Sequence, residues 1–137
     1  MGGSLTVVKI GGDLAALSGM CKWLIESDMI DHQFIREHTH GFDEFARAMR
    51  ALQWGEIEAC SGLSRDAITQ AAREYSNAQR VMLVYGMGLT QHRSGVLNVQ
   101  MVANLALLGG HIGQPGAGVL PVRGHSNVQG QRTVGIT

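Results

Sequence analysis

The stretch "RVMLVYGMG", residues 80 to 88, constrains this chain more than any other. An almost continuous apolar run of six residues that ends in glycines reads as a strand covered on both faces, not as one face of a helix. The apolar segment "GVLNVQMVANLALLGG" follows after a short polar loop and reads as a long buried helix. A strand, a glycine loop and a helix in that order form half of a parallel βαβ unit, and open α/β sheets bind ligands in such loops. Gly86 and Gly88 leave room for a phosphate or a ring to approach the backbone. The pair lacks the third glycine of the dinucleotide fingerprint and the acidic ribose contact that should follow it, which disfavours an ordinary NAD site.

Other local patterns extend the α/β order upstream. "LTVVKI", residues 5 to 10, is rich in β-branched residues and ends in Gly11-Gly12, so it reads as a strand entering a turn. Asp13 then stands as the N-cap of a helix in which Leu14, Leu17, Cys21, Leu24 and Ile25 recur at helical spacing. Further helices are expected around "DHQFIREH", around "FDEFARAMRAL" with Phe42, Phe45, Met49 and Leu52 on one face, and after Ser64 with Ile68, Ala71, Ala72 and Tyr75 buried. The expected fold is α/β: a partial Rossmann-like layer with a parallel sheet flanked by helices and a long glycine-rich C-terminal loop. Residues 1 to 4 read as an irregular start, 5 to 110 as a partial α/β cofactor-binding domain and 111 to 137 as a loop without regular elements.

Net charge sums to zero but is unevenly placed. All 11 Asp and Glu lie at or before Glu74, together with 7 of the 11 Lys and Arg, so the first 74 residues carry −4 and the remainder +4. A second half without a carboxylate suits an anionic ligand there. Within it, "PVRGHSNVQG", residues 121 to 130, holds Arg123, His125, Asn127 and Gln129 between glycines. Amides supply paired donors and acceptors, and arginine a planar fork for anions. Cys21 and Cys60 show no metal-binding spacing and read as buried free thiols. His38 and His40, at i and i+2, would not share a helix face and read as a polar helix terminus, so no metal ligand is assigned. No apolar stretch reaches the roughly 20 residues of a membrane span, and no signal peptide is recognised, so a soluble, cytoplasmic protein is expected.

The run "GMGLTQHRSGVLNVQMVANLALLGGHIGQPGAGVLPVRGHSNVQG" closely resembles molybdopterin-dependent oxidoreductases of the dimethyl sulfoxide reductase superfamily, most of all the formate dehydrogenase alpha-subunit-like branch. "GGDLAAL" and "DHQFIREHTHGFDEF" are similar to the family's upstream segments, so the resemblance covers about residues 7 to 136. It implies two-electron oxidation or reduction of a small, formate-like substrate at molybdenum or tungsten held by molybdopterin guanine dinucleotide. Gly86, Met87, Gly88, Gln91 and His92 match the turn that holds the cofactor, and Gly12 and Asp13 match a turn near its guanosine end. Arg123 matches the arginine that faces substrate beside the metal. Gly124, His125, Asn127, Gln129 and Gly130 match the pterin-side loop, except that His125 replaces a glutamine. An imidazole can still donate one hydrogen bond, but it cannot offer the amide's donor and acceptor pair in the same geometry.

Family members are several times longer, and their metal ligand, any iron–sulfur cluster and the domain closing over the second pterin have no counterpart in these residues. The expected partners are therefore the remaining domains of a parent enzyme and a small-molecule substrate, with no nucleic acid, no membrane and an open oligomeric state. Alone, the chain is expected to be inactive. Two other readings are a free-standing nucleotide-binding module without redox activity and a tail that serves as an oligomerisation arm.

Overall fold

The structure is a computed structural model, and it describes residues 5 to 135. Residues 1 to 4, expected as an irregular start, lie outside the described residues, as do 136 and 137 of the expected loop. Five helices come first: α1 (Asp13–Glu26), α2 (His32–His38), α3 (Phe42–Ala51), α4 (Trp54–Ser61) and α5 (Arg65–Asn77). Then follow β1 (Met82–Tyr85), α6 (Met87–Thr90), α7 (Gly95–Leu108), β2 (Gly118–Pro121) and α8 (Val128–Thr133). β1 and β2 pair in parallel, from Met82 opposite Gly118 to Tyr85 opposite Pro121. Parallel neighbours need a crossover, which α6 and α7 supply.

α1 is the hub and packs against α3, α4, α5 and α7. Its buried stripe of Cys21, Leu24 and Ile25 meets Met49 from α3, Ala72 and Tyr75 from α5, and Met101, Leu105 and Leu108 from α7. Phe42, Phe45 and Leu52 pack against this core as the sequence spacing predicts. Gly19 lets two helices close in, since a Cβ there would stand 3.0 Å from both Ile57 and Ile68 methyls. Lys22 is buried where α1 meets α3, and its ammonium donates to Glu26 (2.6 Å) and to the Arg50 carbonyl (2.9 Å). The charge is thus held between a carboxylate and the C-terminal carbonyls of α3, both favourable partners.

Several expectations are corrected. Residues 5 to 10 form no ladder, and Leu5 and Ile10 are 92% and 93% exposed. The segment is held at Lys9, whose N–H donates to the Ser61 carbonyl at 2.8 Å. β-branched residues favour a pleated surface only where a neighbouring strand completes it, and none does so among the described residues. Asp13 is the first helical residue, not the cap: Gly12 occupies the cap position with no side-chain bond, and the Asp13 carboxylate sits in the dipole-favoured first turn. β1 is covered on one face only, with Met82 and Val84 exposed, because the other face has no layer over it among the described residues. The tail is not free of regular structure, since β2 and α8 interrupt it. Cys21 is buried, but Cys60 is exposed near the end of α4. The chain is mostly helical with a small parallel sheet, which keeps α/β in outline without a Rossmann-like layer among the described residues.

Burial pushes the Cys21 thiol up to about 12, so it is an inert core group. His111, 5% exposed, packs edge-on against Tyr75 with ring centres 5.2 Å apart. Tyr75 in turn donates its hydroxyl to the Leu105 carbonyl at 2.5 Å. Burial lowers the His111 pKa, with Asp31 pulling partly the other way. A lowered folded pKa means that the unfolded chain binds the proton more readily. The stability His111 contributes is therefore complete above the unfolded value near 6.5 and is lost as pH falls below it. Thermal melts between about pH 7.5 and about pH 5.5 should fall more steeply for the parent chain than for His111→Phe. Identical slopes would rule out His111 as the group responsible.

Candidate functional site

The two strands end side by side. Val122 continues the ladder by one bond, its N–H donating to the Tyr85 carbonyl at 2.7 Å. The chain after β1 and the chain after β2 therefore leave the sheet at the same edge, the carboxyl end, where α/β sheets place ligands. Gly86 turns the chain into α6 with an extended backbone, and a Cβ there would lie 3.7 Å from the Val122 carbonyl oxygen. Gly88 faces open space.

An open cavity of about 380 Å³ lies outside these strand ends, lined by Met87, Thr90 and Gln91 on one side and Arg123, His125, Val128 and Gln129 on the other. Its lining includes no carboxylate, and its one guanidinium is incompletely partnered: the Arg123 Nη1 is buried without a hydrogen-bond partner. A buried donor left unpaired costs stability and marks a place where an acceptor would be welcome. The amides of Gln91 and Gln129 add donors and acceptors on opposite walls.

Five of the residues singled out in the sequence thus meet: Met87, Gln91, Arg123, His125 and Gln129. Gly86, His92 and Gly124 belong to the connecting segments and Gly88 to α6, and none of the four lines the cavity. Asn127 and Gly130 do not line it either. They shape the start of α8, where Asn127 takes a left-handed φ of 56° and its carbonyl accepts from Gln131 N–H at 2.9 Å. A Cβ on Gly130 would collide with the Asn127 side chain.

Gly12 and Asp13 lie elsewhere. Gly12 packs on the backbone of Cys60 and Ser61, and Asp13 borders a separate apolar cavity of about 300 Å³ with Val8, Leu17, Leu83, Val84 and Leu89. The two cavities share no lining residue. Thr90 and Val128 were not singled out by the sequence, although they sit inside the two motifs and could have been taken with them. Among the described residues no three His, Cys, Asp or Glu gather as metal ligands, and no helix is long and apolar enough to cross a membrane.

Comparison with known proteins bears on the chain as a whole. Residues 7 to 135 match the protein-family profile described as molybdopterin oxidoreductase. Protein YdeP of Escherichia coli is 51% identical over 140 residues, covering 95% of this chain and 18% of YdeP. An uncharacterized oxidoreductase of Mycobacterium tuberculosis is 40% identical over 137 residues, covering 94% of this chain and 17% of its own length. Formate dehydrogenase H of Escherichia coli is 38% identical over 128 residues, or 93% of this chain and 18% of that enzyme. The chain therefore spans less than a fifth of the length of these relatives.

Proposed function

The chain belongs to the molybdopterin oxidoreductase family, and from that premise we propose that the cavity at the carboxyl ends of β1 and β2 holds part of a molybdopterin guanine dinucleotide. The observation that carries this reading is the meeting of Gln91 with Arg123 and Gln129 around a space without carboxylates. A pterin offers ring donors and acceptors that match carboxamides, and a lining without carboxylates suits a cofactor that carries phosphates. The residues present fit the group on that ground.

When bound, the cofactor would supply a molybdenum or tungsten ion that takes up or releases two electrons; placement and electrostatics are left to the protein. Arg123 orients a small carboxylate such as formate and offsets its charge through its planar fork. Gln91 and Gln129 fix the ring edges, and Met87 and Val128 exclude water from the cavity wall. His125 stands where the family's formate dehydrogenases have a glutamine, so it gives one wall a single ring donor or acceptor in place of a carboxamide. The metal ligand and any iron–sulfur cluster belong to segments outside these residues. The similarity to formate dehydrogenase H supports a formate-like substrate for the whole enzyme.

The test is chemical. A full-length relative, purified and hydrolysed in acid, should release GMP from the dinucleotide, and a preparation active in redox turnover but free of guanine nucleotide would end the proposal. Calorimetric titration of the 137-residue chain with GDP addresses the other reading. Micromolar affinity of the chain alone would mark a free-standing nucleotide module; silence is expected for a site completed by other segments.

A further inference from the structure

α6 spans four residues, too few for a helix to hold itself, yet it carries Met87 and Thr90 and ends at Gln91 on the cavity wall. Its support comes from the first turn of α7. The Asn98 side chain, 2% exposed, donates from Nδ2 to the Leu89 carbonyl at 2.9 Å. One turn earlier, Gly95 lies directly against the Thr90 carbonyl, where any Cβ would collide. The orientation of the amide follows from the contact, since only its nitrogen can face a carbonyl oxygen. Its oxygen is left buried with no hydrogen-bond partner.

That orphan oxygen is informative. An unpaired buried acceptor lowers stability, and an apolar side chain at this position of an apolar helix would avoid the loss. No apolar side chain could hold the Leu89 carbonyl. We infer that Asn98 and Gly95 are positioning residues, a clamp on α7 that fixes α6 and thereby sets Met87, Thr90 and Gln91 opposite Arg123. The clamp rests on the proposed function only for what the cavity receives.

Amide hydrogen exchange of the 137-residue chain reads the clamp with no ligand present, so its failure leaves the cofactor reading intact and the reverse also holds. Within α6, Leu89 N–H donates to Gly86 at 3.2 Å and Gln91 N–H to Met87 at 2.8 Å. In Asn98→Leu, exchange over residues 86 to 92 should rise about tenfold or more, while residues 101 to 108 of α7 keep their protection and the thermal midpoint does not fall. Gly95→Ala, which leaves the amide in place but displaces Thr90, should loosen the same segment. The inference is overturned by unchanged exchange over 86 to 92 in both variants, or by an unprotected segment in the parent. A rise spread evenly over α1 and α7 would overturn it too, because Asn98 would then be an ordinary core residue.

Discussion

Gly12→Ala should lower the thermal midpoint by about 10 °C, on the order of 3 kcal/mol for a chain of this size. The cause is space, not backbone preference, because Gly12 has a φ of −87° that any residue adopts. A Cβ there would stand 2.6 Å from the Cys60 carbonyl oxygen, 2.8 Å from the Ser61 Cα and 3.0 Å from the Lys9 carbonyl oxygen. All three are main-chain atoms and cannot rotate away. The turn is also stitched in place: Gly12 N–H donates to the Lys9 carbonyl and Lys9 N–H to Ser61, each at 2.8 Å. Gly11 next to it is the control. Its φ is +79° with open space around the missing Cβ, so Gly11→Ala should cost only the left-handed strain, roughly 1 kcal/mol. Circular dichroism melts of both variants decide the matter: a Gly12 variant that melts with or above the Gly11 variant would remove the close approach as the reason for glycine. The experiment also bears on function, since it measures with no ligand present how far this glycine serves helix packing.

That glycine shows where sequence reading succeeds and where it stops. The α2, α3 and α5 segments were legible because their signals are local. Asp31 accepts from Phe34 N–H at 2.8 Å and Ser64 from Ala67 N–H at 3.2 Å, both as caps should. α4 was legible only as a helical stretch around Cys60, without bounds: "WGEIEACS" is short, contains Gly55 and is preceded by Gln53, which makes no capping bond. β2 left little signal because a parallel partner lies across a crossover, and four residues, two of them Gly118 and Pro121, do not announce a strand. Conversely, "LTVVKI" has the composition of a strand without the neighbour that makes one. For the site, the polar residues of the glycine loops were readable as residue types suited to ligands. Their meeting depends on the strand register from Met82–Gly118 to Tyr85–Pro121, which no local pattern encodes. Asn98 was hidden for the opposite reason, since it is one of three carboxamides in α7, with Gln100 and Asn104, and stands out only once its partner on α6 is known.

Arg123→Ala separates substrate placement from cofactor retention and should have the largest functional effect. The Arg123 Nη1 is buried and unpaired, and no acidic residue follows Glu74, so the side chain brings the fold a desolvation cost without a matching bond at that nitrogen. Arg123→Leu in the 137-residue chain should accordingly leave the thermal midpoint unchanged or raise it. In a full-length relative, the alanine variant should lower kcat/KM for a small carboxylate on the order of 100-fold, the scale of losing one preorganised charged donor. Arg123→Lys should recover part of this, because the charge returns but the two-pronged geometry does not. GMP released on acid hydrolysis serves as the internal reference. If it stays at the parent level while turnover falls, the arginine acts on the substrate. If GMP and turnover fall together, the guanidinium is an anchor for cofactor phosphate, and substrate placement must come from residues outside this chain.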